Sequence, residues 1–235
     1  MTVSSPKGGW RPKVCTSIYA PEPSILRKRL LEAVEQGSDY IEIRLDYLRR
    51  FDVDRLGAAC RDHLHRCIFT CRYPAEGGRY PGGEEGRLRL LTEVSSLGPA
   101  YVDLELRSVR KHRLLPTRLA DRSQPVIISS HNLRGTPVLD TLAKLLAEAQ
   151  EHSRTVKIVS VARTLKDNFT LLSLYSKAKC ALIAFCTGEL GVLSRVLSPL
   201  YGSPFTYASV RGLRTAPGQV PLDLLRELYR CMELR

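Results

Sequence analysis

Apolar residues in this chain recur in short, β-branched runs, and between the runs lie segments whose apolar positions fall three or four apart. Eight runs read as strands. They are "KVCTSIYA" from Lys13, "YIEIRLD" from Tyr40, "CIFTCR" from Cys67, "AYVDLEL" from Ala100, "PVIISSH" from Pro125, "TVKIVSV" from Thr155, "CALIAFC" from Cys180 and "FTYASV" from Phe205. The intervening segments have helical periodicity. In "EPSILRKRLLEAVEQG", Ser24 is the expected N-cap and Gly37 the stop. In "TPVLDTLAKLLAEAQEH", Thr136 is expected to cap, with Pro137 in the first turn. "LKDNFTLLSLYSKAK" and "VPLDLLRELYRCMEL" complete the clearest set. Strand–helix units at spacings of roughly 25–30 residues predict an α/β protein, a single-domain (β/α)8 TIM barrel. The barrel is expected over 13–235, after a loose tail at 1–12. A doubly wound open sheet is the alternative, but no Gly-rich dinucleotide fingerprint follows the first strand.

Composition narrows the class. The chain has 235 residues, 43% of them apolar, ample for one well-buried core. The longest apolar run, "CALIAFC", is too short to span a bilayer, and "MTVSSPKGGWRPK" lacks the apolar stretch of a secretory signal. A soluble cytoplasmic protein with no membrane partner is expected. None of the seven cysteines forms a C-x-x-C pair. Cys67 and Cys71, on one face of a strand, read as core residues in a reducing compartment, so no metal site is expected. The net charge is +12, yet acidic residues are interleaved with the basic ones. The densest basic segment, "RSVRKHRLLPTRLADR", reads as the solvated side of a helix. Without a zinc finger or RRM motif, a nucleic-acid partner is not expected, and the positive field suits a small anionic substrate. Arginine outnumbers lysine 27 to 9, so a lysine inside a strand stands out.

In a (β/α)8 barrel, chemistry sits where strands end and the following loops begin. In "IEIRLD", Glu42, Arg44 and Asp46 share one face by the two-residue period. Charges inside a barrel must be paired, so these form either a structural ion pair or a polar floor for ligand hydroxyls. Lys157, in "TVKIVSV", has two readings. It pairs with a buried carboxylate such as Glu105, or it is a Schiff-base nucleophile. For the second, burial and a field from Arg44, Arg72 and Arg195 would lower its pKa from ~10.4. His131, closing the preceding strand, is placed to accept and return a proton. "RYPAEGGRYPGGEEGR" lacks the ending of a phosphate loop and brings Glu76 near His131 to orient the imidazole. "RGLRTAPGQVP" has the composition of a mobile cover, from which Thr215 and Gln219 reach a bound carboxylate or hydroxyl.

Taken together, these motifs resemble those of the type I 3-dehydroquinate dehydratases of the shikimate pathway, over nearly the whole chain. "EIRLD" is similar to that family's acid-x-Arg-x-Asp strand, "SSHN" to its histidine segment, and "VKI" to its lysine strand. "GVLSR", ending at Arg195, resembles its carboxylate-binding motif, and "TAPGQ" its closing-loop signature. The resemblance implies dehydration of 3-dehydroquinate through an imine on Lys157, with His131 as general acid and base. It also implies that Ser17, Glu42, Arg44 and Arg72 hold the substrate's hydroxyls, and that Arg195, Thr215 and Gln219 hold its carboxylate side. No metal or organic cofactor is implied, and a homodimer is suggested by analogy. Three positions depart from the pattern: Thr215 stands where serine is usual, Asn132 where an acid is common, and "FCTGELG" is poorer in methionine. A class I aldolase is the nearest rival, but it calls for a phosphate site after the last strands, which "TAPGQ" fits poorly.

Overall fold

The computed structural model describes residues 11–113, 115–120, 124–210, 213 and 215–232. Most of the expected tail therefore lies outside the described residues. Every expected strand is present: β1 (Val14–Tyr19), β2 (Tyr40–Arg44), β3 (Cys67–Thr70), β4 (Tyr101–Glu105), β5 (Val126–Asn132), β6 (Thr155–Val161), β7 (Ala181–Thr187) and β8 (Thr206–Ser209). From β1 to β7 each strand pairs in parallel with the next, and β8 pairs with β1, so the sheet wraps into a nearly closed barrel with β7 and β8 at its two ends. The helices α1 (Pro23–Glu35), α2 (Val53–Cys60), α3 (Glu84–Ser95), α4 (Leu106–Lys111), α5 (Leu115–Ala120), α6 (Leu139–Ala149), α7 (Leu165–Leu172), α8 (Val192–Leu197) and α9 (Leu222–Cys231) alternate with the strands.

Local chemistry sets the helix ends, in places differently from expectation. Pro23 is the first residue of α1 and Glu22 its N-cap position, so Ser24 lies inside the helix and caps nothing. Proline's fixed φ and missing N–H suit that first position. Gly37 does stop the helix, with φ +85° and its N–H bonded to Val34 O. α6 starts later than expected, with Val138 at the N-cap position. The Thr136 hydroxyl is engaged elsewhere, with Ser160 Oγ at 2.7 Å and as donor to Val161 O at 3.1 Å, which ties the loop to β6. α7 begins in a Thr164–Asp167 capping box. The basic segment expected as one solvated helix is instead α4 and α5, in part outside the described residues. Arg107 stacks over the Tyr73 ring, and Arg110 pairs with Glu148.

Alternation along the strands divides the interior. In β2, Ile41 and Ile43 join the apolar layer between sheet and helices, where Leu26, Leu30 and Leu56 also pack. Cys67 and Cys71 belong to the same layer, as core residues. The lower inside of the barrel is filled by Cys15, Ile68, Ile127, Ile183 and Phe205, with Tyr40 and Tyr101 packed against them. Above this plug, at the carboxyl ends of the strands, polar and charged residues gather around a cavity that Val159, Val161 and Phe185 also line.

No helix among the described residues is long and apolar enough to cross a membrane.

Candidate active site

The ten residues given catalytic or binding roles from the sequence line one cavity of about 370 Å³ at the carboxyl ends of the strands, whereas Asp46 does not. A wider groove of about 980 Å³ runs between α1 and α2, but the arginines and acids along it are exposed.

β2 supplies the anionic centre. Glu42 accepts hydrogen bonds from Ser17 Oγ at 2.7 Å, Thr70 Oγ1 at 3.2 Å and Lys157 Nζ at 2.9 Å. Burial pushes its carboxyl up, but the positive charges of Lys157, then Arg44 and Arg72, outweigh this and hold it at about 2. Asp46 lies beyond the strand, in the 3₁₀ turn Leu45–Tyr47, yet receives a two-pronged hydrogen bond from Arg44 at 2.8 Å on each oxygen. It also accepts from the backbone N–H groups of Arg72 and Arg79, so it pins the loop after β3. The ion-pair reading thus holds for Arg44–Asp46, while Glu42 stays on the cavity wall.

Arg72 bridges three strands. It donates to Glu105 Oε1 and Ser129 Oγ, both at 2.8 Å, and to Asp103 Oδ2 at 2.9 Å. The other oxygen of Glu105 is bonded to Arg87 of α3, a fully buried guanidinium that also donates to Ser108 Oγ at 2.6 Å. Lys157 is not the partner of Glu105. Its ammonium meets Glu42 at 2.9 Å, Asp103 Oδ2 at 3.6 Å and the Tyr207 ring, whose centroid is 4.0 Å away. The charged groups it touches are carboxylates, not the arginines expected from the sequence.

His131 and Lys157 stand on adjacent strands. Ser129 is level with Lys157 in the β5–β6 register, so His131 sits two residues nearer the mouth on the same face. Glu76, in the 3₁₀ turn Pro74–Glu76, holds the histidine twice. Its Oε2 accepts from the His131 backbone N–H at 2.9 Å and lies 3.1 Å from Nδ1. Burial first, then the cations Arg72, Lys157 and Arg44, push the imidazole well below its ordinary pKa, so it is neutral at pH 7. Burial raises the Glu76 carboxyl to about 7, against the pull of Arg72. Asn132 is exposed and accepts from the Arg134 N–H, shaping the turn after β5.

Arg195, on α8, has no ion-pair partner among the described residues. It is 1% exposed, stacks over the Phe185 ring at 4.3 Å and donates from Nη1 to Tyr207 O at 3.4 Å. Nε and Nη2 have no partner among the described residues. Burial lowers this guanidinium to about 10. Facing it, Gln219 and Thr215 bond to each other: Oε1 accepts from the Thr215 N–H at 2.8 Å, and Nε2 donates to Oγ1 at 2.9 Å. Gly218, at φ +72°, seats this segment on the end of β7, where a Cβ would fall 2.1 Å from Gly188 O.

Sequence reasoning missed Thr70, Ser129, Arg87 and Tyr207. Tyr207 was findable as an inward position of β8 by period two. Arg87 was not, because in "EEGRLRLLTEVS" it reads as one more solvent-facing arginine; only the need of Asp103 and Glu105 for a second cation pointed to it.

Eight parallel strands with a charged cavity at their carboxyl ends define an enzyme of the (β/α)8-barrel class. Comparison narrows this. Residues 14–235 match the sequence model of the family described as type I 3-dehydroquinase. A 3-dehydroquinate dehydratase of Desulfotalea psychrophila is 36% identical over 224 residues, covering 92% of this chain and 96% of the relative. One from Methanothermobacter thermautotrophicus is 33% identical over 216 residues, covering 92% and 95%. The crystal structure of 3-dehydroquinate dehydratase from Geobacillus kaustophilus matches with a TM-score of 0.88 at 26% identity, over 96% of this chain and 93% of that one. The chain belongs to the type I 3-dehydroquinase family and is a hydro-lyase.

Proposed function

We propose that this chain converts 3-dehydroquinate to 3-dehydroshikimate through an imine on Lys157, with His131 moving the protons. The observation that carries this reading is the placing of Lys157 Nζ and the neutral His131 on one face of adjacent strands, in a cavity that also holds the unpaired donors of Arg195.

The geometry supports the following steps. Substrate hydroxyls enter among Ser17, Glu42, Arg44 and Arg72, while the carboxylate takes the free N–H groups of Arg195, with Thr215 and Gln219 closing over it. A planar guanidinium suits a carboxylate because two parallel N–H groups meet two oxygens. Hydroxyls that bond to Glu42 compete with the Lys157 ammonium for it and turn the nitrogen toward the ketone. Neutral His131 takes one ammonium proton as the amine attacks and returns it to the carbinolamine hydroxyl that leaves as water. Attack forms a carbinolamine, and loss of water leaves the protonated imine. This cation draws electrons from the adjacent carbon, so neutral His131 can remove a proton there. The electron pair then expels the hydroxyl one carbon further on, and the His131 proton leaves with it as water. Hydrolysis of the imine frees the product and the lysine. Glu76 orients the imidazole through Nδ1, leaving Nε2 for the substrate. The iminium is the electron sink, so the reading calls for no metal or organic cofactor.

The same reading gives a single catalytic domain over 13–235, a cytoplasmic place in aromatic biosynthesis and a homodimer. Borohydride added with 3-dehydroquinate tests the chemistry. A reduced adduct that peptide mapping places on Lys157 is expected; turnover with no trapped adduct would refute the imine.

A further inference from the structure

The described interior holds three polar side-chain atoms without partners: Nε and Nη2 of Arg195, and the hydroxyl of Tyr207. The first two are answered by an anionic substrate group. The third is not, although Tyr207 is 2% exposed and lines the same cavity. Its ring is braced by Phe185 and Phe205, with centroids 5.6 and 5.8 Å away. Lys157 Nζ lies 4.0 Å from the centre of that ring. The ammonium thus has Glu42 and Asp103 on two sides, the ring face on a third and the cavity on the fourth.

The three contacts fare differently during the reaction. An ammonium has three N–H donors, whereas a protonated imine has one, so the hydrogen bond to Glu42 and the 3.6 Å ion pair with Asp103 cannot both keep an N–H after condensation. The positive charge on nitrogen does survive, and an aromatic face attracts it in either form. The braced ring also blocks the flexible lysine chain from swinging down into the barrel. Burial raises the phenol's pKa well above its ordinary value, so the ring stays neutral and adds no further anion to the site.

Resting on the imine reading above, we propose that Tyr207 is a positioning residue for the reaction. Its ring face holds Lys157 Nζ toward the cavity and stabilises the positive nitrogen of the imine, while its hydroxyl takes no part.

The test compares Tyr207→Phe, Tyr207→Leu and Tyr207→Met with the unmodified chain, by kcat, KM and the rate of borohydride-trapped adduct formation with 3-dehydroquinate. Tyr207→Phe keeps kcat and trapping within about twofold, because the ring remains. Tyr207→Leu and Tyr207→Met lower both by about tenfold, with KM little changed, since the ring acts on the nitrogen and not on the substrate's hydroxyls. The methionine variant decides the matter if the leucine variant does not fold. Folded ringless variants with normal kcat and trapping overturn the proposal. So does a loss confined to KM, or a phenylalanine variant as impaired as the leucine one. Failure to trap any adduct on Lys157 of the unmodified chain ends the imine reading itself. A normal adduct there, with unimpaired ringless variants, ends only the role of Tyr207.

Discussion

Lys157 Nζ donates to Glu42 Oε1 across 2.9 Å, joining β6 to β2 on the far side of the barrel. Both side chains are almost wholly buried, so the pair carries stability as well as chemistry. Lys157→Ala is expected to abolish turnover and to destabilise the fold by about 3 kcal/mol, because Glu42 keeps its charge and loses its nearest cation. Adding Glu42→Gln restores most of the stability and none of the activity. Glu42 is held at about 2, below its ordinary 4.5, so its stabilisation is full above pH 4.5 and is lost as pH falls toward 2. Urea unfolding at pH 7 and near pH 3 should show this acid dependence in the unmodified chain and a weaker one in Lys157→Ala.

His131 and Glu76 make a different pH prediction. The imidazole is held well below its ordinary 6.5, so its own protonation should add no acid limb to kcat/KM at 6.5. A clear acid limb at 6.5 that vanishes in a His131 variant would contradict the buried, neutral imidazole. Glu76 titrates near 7, above its ordinary 4.5. Its effect on stability is therefore absent below pH 4.5 and becomes a growing cost as pH rises to about 7, reaching roughly 3 kcal/mol at most. Glu76→Gln should gain stability over the unmodified chain at pH 8 but not at pH 4, while kcat falls.

Arg195 trades stability for binding. Its guanidinium is buried with two nitrogens unpartnered among the described residues, so Arg195→Met should raise Tm by several degrees. The same variant should raise KM for 3-dehydroquinate by about 100-fold through loss of charge-assisted hydrogen bonds to the carboxylate. Thermal unfolding and steady-state kinetics on one preparation check both signs.

Arg87 does not line the cavity, yet it holds Glu105, which holds Arg72. Arg87→Met should cost about 3–5 kcal/mol, as expected when one partner of a buried ion pair is removed. Glu105→Gln in the same chain should recover part of that loss. Turnover should fall modestly, as Arg72 loses its fixed orientation.

Much of this architecture is legible in the sequence. The stretch from Thr155 to Val161 reads as a strand with the boundaries it has, since its β-branched residues leave few other conformations. Helix starts were less legible. Ser24 and Thr136 are good caps by type, but Pro23 and the bond from Thr136 to β6 decided otherwise. Asp46 was placed on the right face for the wrong reason: the strand ends at Arg44, and a 3₁₀ turn returns the carboxylate to its partner.

The sequence by itself determined which residues carry charge into the barrel. A lysine, a histidine and several acids and arginines at strand ends break the apolar pattern, and a period of two says which face they share. Only the tertiary structure decided who pairs with whom. Lys157 reaches Glu42 and not Glu105, Arg87 joins the network from a helix, and Nε and Nη2 of Arg195 are left without a partner among the described residues. Pairing between residues as far apart as 42 and 157 depends on barrel closure and stagger, which no local run of side chains records.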